Sequence, residues 1–253
     1  MLVIIMVCVT RIYKRPELHD PVLIEGLPGI GFVANIATLH LIQELEAKPL
    51  AEIRSSAFEG VTMAAENGET RFPINMLHYH QRKNGGRDLI LLYGNTQALT
   101  SYGQYELCGC ILDIAKGLGC GYVITLGGLK REQRVNAPKV YCAASDPETL
   151  KEALKLGVEV IEGRILGVAG LLVGLSELQG MKGLCLLAET PGDYPDSEAA
   201  REALKVLCRM LDLKIDFGRL DMAAEATRYT LKSLGMTPSH LKEREEPRFR
   251  GLI

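Results

Sequence analysis

The sequence lacks the marks by which several function classes announce themselves. It has no basic surplus. Its 29 Lys and Arg stand against 31 Asp and Glu, for a formal net charge of −2, and no basic stripe is present. Nucleic-acid binders carry such a surplus or stripe, so nucleic acid is not an expected partner. It has no C-x-x-C pair. The seven cysteines (Cys8, Cys108, Cys110, Cys120, Cys142, Cys185 and Cys208) are odd in number, and Cys108 and Cys110 are spaced C-x-C. They read as free thiols buried as small hydrophobes in a reducing cytoplasm, with no metal site among them. The opening MLVIIMVCV is apolar for nine residues. That is too short to span a bilayer, and neither a cationic segment before it nor a small-residue cleavage site after it marks a signal peptide. It reads as a buried strand or an unstructured extension. No internal repeat and no low-complexity linker divides the chain.

What is present is the composition of a soluble globular protein, 47% hydrophobic and 24% charged over 253 residues. That length buries a core without staples. Three glycine-punctuated blocks stand out: LIEGLPGIGFVANIA at 23–37, YVITLGGL at 122–129 and LCLLAETPGDYPDSEAA at 184–200. Each reads as an apolar strand, a tight turn, and then a helix start or short loop. This is the pattern of an α/β fold whose working loops gather at strand ends.

Between these blocks, residues 29–47 read as a helix apolar on nearly every side. Such a helix is buried within the molecule or against another subunit. Residues 48–93 alternate with period two around the turn signals Asn67-Gly68 and Asn84-Gly85-Gly86, as a meander of strands. A helix over 102–118 places Tyr105, Cys108, Ile111, Leu112 and Ala115 on one face. Asp146-Pro147-Glu148 opens another helix. The glycines at 163, 167, 170, 174 and 180 suggest close packing of a helix on the sheet. Asp196 caps a helix with Ala200, Ala203, Leu204, Leu207 and Leu211 inward, and a last amphipathic helix covers roughly 217–234. The domain reading is an N-terminal strand or extension at 1–20, an α/β core at 21–215, and a C-terminal helix with a charged tail at 216–253.

Candidate chemistry is sparse. Gly26, Gly29 and Gly31 between a strand and a helix start suit a phosphate cradle, yet GLPGIG is neither G-x-G-x-x-G nor a lysine-bearing P-loop. A tight structural turn is the favoured reading. His78 and His80 share one strand face without a third ligand. Glu189 and Thr190 end the last central strand ahead of Asp193 and Asp196, a place for acid–base work or simply a sharp turn ending in a helix cap. No serine sits in a G-x-S-x-G elbow. Asn95 and Gln97, after another central strand, form a polar edge for a ligand or a partner protein.

The order and spacing of these blocks resemble the proteasome assembly chaperone family, in particular its archaeal members. The resemblance runs from about Pro21 to about Gly235. It is carried by Gly26-Leu27-Pro28-Gly29-Ile30-Gly31, by Gly94-Asn95-Thr96-Gln97 through Tyr105-Glu106, and by Thr125-Leu126-Gly127-Gly128. Gly163-Arg164-Ile165 with Gly167 and Gly170-Leu171-Leu172, and Glu189-Thr190-Pro191-Gly192 with Asp196 and Ala199-Ala200, complete it. The resemblance implies a three-layer α/β/α fold like that of nucleoside phosphorylases, with a mixed sheet, no catalytic residues and no cofactor. It also implies self-association into a homo-oligomer and binding to proteasome subunits or chaperone paralogues. Family members that dock on the proteasome end in a hydrophobic–tyrosine–any tripeptide. This chain ends Gly251-Leu252-Ile253, which implies action through another surface.

Two function classes follow. One is a non-enzymatic, cytoplasmic assembly chaperone or scaffold whose candidate contact loops hold Gly26, Gly29, Gly31, Asn95, Gln97, Gly127, Gly128, Glu189 and Thr190. The other is a nucleotide- or nucleoside-binding enzyme, phosphorylase- or ligase-like, that uses the same loops. Fold likeness alone does not license the second.

Overall fold

The computed structural model describes residues 8–64, 66–83, 85–131 and 138–223. Nine strands form one mixed sheet in the order β1-β3-β6-β7-β2-β8-β11-β9-β10, and β4 and β5 form a separate small ribbon. The centre is parallel: β7 (Leu89–Gly94), β2 (Val22–Gly26), β8 (Tyr122–Lys130) and β11 (Lys182–Thr190) run the same way. Antiparallel strands flank it. On one side lie β6 (Asn75–His80), β3 (Lys48–Ser55) and β1 (Cys8–Ile12), and on the other β9 (Val140–Ala144), with the short β10 (Glu159–Val160) parallel to it.

Helices cover both faces. Successive β2 side chains point to opposite sides, so Val22 and Ile24 join one core and Leu23 the other. The first core takes α1 (Val33–Glu44) and α5 (Ser197–Leu211), with α3 (Pro147–Leu154) at its margin; the second takes α2 (Ser101–Gly117) and α4 (Gly167–Leu178). Burial on both faces is why the central strands read as unbroken apolar runs.

Several sequence expectations hold and others need correction. Asp146 accepts from the Thr149 amide at 2.9 Å and Asp196 from the Ala199 amide at 3.0 Å, so both helix starts are capped as their sequences require. The α5 face of Ala200, Ala203, Leu204, Leu207 and Leu211 is buried. The first helix begins later than its apolar pattern suggests. Gly31 (φ +62°) and Phe32 (φ +52°) are left-handed within a short turn at Ile30–Phe32, and α1 starts only at Val33. Its apolar character has an internal cause, because α1 packs on β2, β7 and β8 and against α5, which lies beside it on the same face of the sheet. In α2, Tyr105 faces solvent at 53% exposure and Leu107 takes the inward place. Gly127 and Gly128 lie inside β8 and form no turn after it.

The close approach between α4 and the sheet is made from the strand side, where a Cβ on Gly183 would stand 2.4 Å from Ser176 Oγ and 2.9 Å from the Val173 carbonyl. Gly174 meets nothing within 4 Å, and Gly170 packs on the carbonyl of Ile165. Asn67-Gly68 falls in the longer turn between β4 (Met63–Ala64) and β5 (Thr70–Arg71). Asn84, most of the expected last helix and the terminal Gly251-Leu252-Ile253 lie outside the described residues.

Gly26 shows what a glycine does where a helix crosses a strand end. A Cβ there would stand 2.0 Å from Thr38 Oγ1 and 2.7 Å from the Ala34 carbonyl, whereas Gly29 has nothing within 4 Å. Gly26→Ala is therefore expected to cost about 1–3 kcal/mol in urea denaturation, and Gly29→Ala less than about 0.5 kcal/mol.

Candidate functional site

The four parallel strands end on one side of the molecule, where α/β proteins place their sites. A cleft of about 420 Å³ opens there. The loop after β2 (Leu27, Gly29 and Ile30) forms one wall, the end of β8 (Leu126–Leu129) the back, and the segment 164–169 at the start of α4 the other wall. Gln97 ties two walls together: its amide donates to the Pro28 carbonyl, and its carbonyl oxygen accepts from the Val168 amide at 3.3 Å. Gln104, also on the cleft, donates to the Ala98 carbonyl at 3.2 Å. Most of the lining is aliphatic.

The cleft also holds a charge that sequence reasoning missed. Glu25, the penultimate residue of β2, lines it and is 1% exposed. One carboxyl oxygen accepts from the Leu27 amide at 2.8 Å, while Oε2 has no partner among the described residues. In the register of the parallel strands Glu25 stands opposite Thr125, and Thr125 opposite Cys185. All three are buried. Thr125 Oγ1 has the Cys185 thiol, a weak donor, beside it and no nitrogen or oxygen partner among the described residues. Burial raises the Glu25 carboxyl from 4.5 to about 8, only partly offset by the Leu27 hydrogen bond. The Glu25 charge in turn adds to the burial that pushes the Cys108 and Cys185 thiols up to about 12. In sequence, Glu25 is merely the polar end of PVLIE, and only the sheet register reveals its neighbours.

The residues singled out from sequence divide into separate environments. Gly29, Gln97, Gly127 and Gly128 line the cleft. Gly26 and Gly31 serve close packing, since a Cβ at Gly31 would lie 2.7 Å from Thr190 Oγ1. Asn95 borders a different hollow beside Phe72 and Tyr93, and its carbonyl oxygen accepts from the Ile74 amide at 3.0 Å. Glu189 accepts from the Tyr141 hydroxyl at 3.0 Å and the Lys139 amide at 3.2 Å, with Arg131 at 3.5 Å stacked over Tyr141. Thr190 donates to Asp196 at 2.8 Å and accepts from the Gly192 amide at 3.2 Å. Thr190 thus holds the turn after β11, while Glu189 fastens the end of β11 to the start of β9 and to Arg131. His78 and His80 lie on β6, and among the described residues no group of three or more His, Cys, Asp or Glu is placed to hold a metal ion. No described helix is long and apolar enough to cross a membrane.

Around the mouth the surface is apolar. Ile30 and Phe32 after β2, Leu99, Tyr102 and Tyr105 after β7, and Leu166 before α4 are all large and exposed, with Leu166 at 72%. Exposed apolar side chains gathered at one end of a molecule mark an interaction surface.

Comparison with known proteins places this architecture. The PAC2 family model matches residues 23–234, and the chain belongs to that family. The uncharacterized protein MJ1210 of Methanocaldococcus jannaschii is 32% identical over 220 residues, covering 86% of this chain and 84% of its own. Among solved structures, Pyrococcus furiosus PbaB, described as an archaeal proteasome activator, is 35% identical with a TM-score of 0.86, over 90% of this chain and 98% of its own. P. furiosus PbaA, described as an archaeal homolog of proteasome-assembly chaperone, is 26% identical with a TM-score of 0.75, over 92% of this chain and 93% of its own.

Proposed function

We propose that this PAC2-family chain is a proteasome assembly chaperone-like protein. It acts in the cytoplasm by binding proteasome subunits or chaperone paralogues, as a homo-oligomer and without catalysis. The observation that carries this reading is the apolar surface at the strand ends (Ile30, Phe32, Leu99, Tyr102, Tyr105 and Leu166), exposed on a fold that matches PbaB closely. Interfaces bury such apolar centres within a polar rim. Residues 21–215 form the working unit, flanked by 1–20 and 216–253. The nucleotide reading is weaker, because the turn Gly26–Gly31 carries no lysine or arginine and the cleft lining is mostly aliphatic.

Affinity purification from the native cell, with captured proteins identified by mass, tests the reading. Sedimentation of the purified protein at micromolar concentration tests its oligomeric part. Proteasome subunits or PAC2 paralogues in the capture, and a species heavier than 27.7 kDa in sedimentation, are expected. A monomer that captures neither would end the proposal.

A further inference from the structure

We propose that the strand-end cleft is a binding site for a small primary amine with an aliphatic body, its ammonium group held by Glu25. Two independent features of the fold point there. The first is a cleft of about 420 Å³, within the roughly 300–1,000 Å³ typical of small-molecule sites. The second is Glu25 Oε2, a buried oxygen of a cleft-lining residue without a partner among the described residues; Thr125, its neighbour in the register of β2 and β8, likewise has no oxygen or nitrogen partner for Oγ1. Buried polar groups are nearly always hydrogen-bonded, and an exception calls for a missing partner.

The chemistry of that partner follows from what it must satisfy. A carboxyl oxygen wants a donor, and a carboxylate in an apolar cleft wants a positive one. An alkylammonium supplies several N–H donors and a positive charge at a single atom. The side chains of Leu27, Ile165 and Leu187 offer its hydrocarbon body an apolar wall. Of the two ionisable residues lining the cleft, Glu25 is the buried one on its floor and Arg164 is exposed at its rim, so the floor favours a cation over an anion. The residue can be spared from structural duty, since only Oε1 serves the fold, through the Leu27 amide. This site lies beneath the exposed apolar surface proposed to bind polypeptides and shares Ile30 and Leu166 with it.

Proton balance gives a signature. In the empty cleft Glu25 holds its proton up to about pH 8, so seating an ammonium ion releases that proton to solvent. The titratable groups around Glu25 are the Cys108 thiol from α2 and the Cys185 thiol from β11, and Arg164, from the segment before α4, lines the same cleft at its exposed rim. Both thiols stay neutral over this range. A free alkylamine, with a pKa near that of lysine at roughly 10.4, stays cationic there too. Affinity for the amine is therefore expected to rise close to tenfold per pH unit between about pH 6 and 8.

The test is titration of the full chain with 3-methylbutylamine, and with 3-methylbutanol as the neutral counterpart of equal shape, followed by amide NMR. The expected result is saturating shifts of Gly127, Gly128 and Val168 with a Kd on the order of 1 mM at pH 8. The alcohol should bind at least about tenfold more weakly, Glu25→Gln should lose amine binding by a similar factor, and affinity should fall toward pH 6. Gly29→Val, which enters open space on the cleft wall and leaves Glu25 intact, should also weaken binding. Shifts that do not saturate, an alcohol that matches the amine, a Glu25→Gln protein that binds like the parent, or an affinity flat across pH 6–8 would each overturn the proposal.

Discussion

Glu25→Gln is expected to stabilise the protein by about 3–4 kcal/mol at pH 8 and to change its stability little at pH 4. The direction follows from a carboxyl whose pKa is raised by folding from 4.5 to about 8. Below the unfolded value, both states hold the proton and burial costs nothing in ionisation. Between 4.5 and about 8 the unfolded chain ionises while the folded chain does not, so stability falls steadily as pH rises. Above the folded value the penalty is complete. Glutamine has the same shape, retains an acceptor for the Leu27 amide and never ionises. Urea denaturation of parent and variant at the two pH values measures the difference. An equal gap at both would mean that packing, and not desolvation of charge, governs this position.

Gly128→Val is expected to cost about 3 kcal/mol or more, while Gly127→Val costs markedly less. Gly128 is not in the left-handed region, and a β-branched residue suits a strand, so the backbone conformation raises no objection. Space does. A Cβ at Gly128 would lie 2.3 Å from the Ile30 carbonyl oxygen and 2.7 Å from Thr190 Cγ2. That carbonyl belongs to the turn at 29–32, which is pinned by Phe32 N to Gly29 O and Asp196 N to Gly31 O, both at 2.9 Å. Backbone fixed in this way cannot yield. At Gly127 the near atom is Leu187 Cδ2 at 2.6 Å, the far end of a side chain that can rotate away. Urea midpoints of the two variants compare them directly, and equal losses would show that the turn is softer than its hydrogen bonds imply.

The sequence made some of this architecture legible and concealed the rest for identifiable reasons. Strands buried on both faces advertise themselves, as Pro21–Glu25 and Gly183–Ala188 did, because no alternation interrupts them. Helix starts with Asp caps are similarly local signals, and Asp146 and Asp196 cap where they were expected to. Features that depend on distant partners left no local trace. The glycines at 127 and 128 look like a turn, yet they sit inside β8, where the 29–32 turn closes down on Gly128 and Leu187 on Gly127. The apolar helix before Glu44 suits burial within the molecule or against another subunit, and only the fold shows it packed on the sheet beside α5. Tyr105 has helical spacing for the core and faces outward. The cleft itself was half visible: its glycines and Gln97 were evident, while Glu25 was not, since pairing it with Thr125 and Cys185 requires the order of three strands contributed by segments about a hundred and sixty residues apart in the chain.

The central claim is that the apolar strand-end surface binds another polypeptide. Light scattering of the purified chain mixed with purified proteasome α-subunits from the same organism tests it most directly, with a Leu99→Asp/Leu166→Asp variant alongside. Both leucines are solvent-exposed, so the variant should fold like the parent. The account predicts a stable mixed species with the parent and its loss, or binding weaker by at least about tenfold, with the variant. No mixed species with the parent, or one that the two charges leave unchanged, would contradict it.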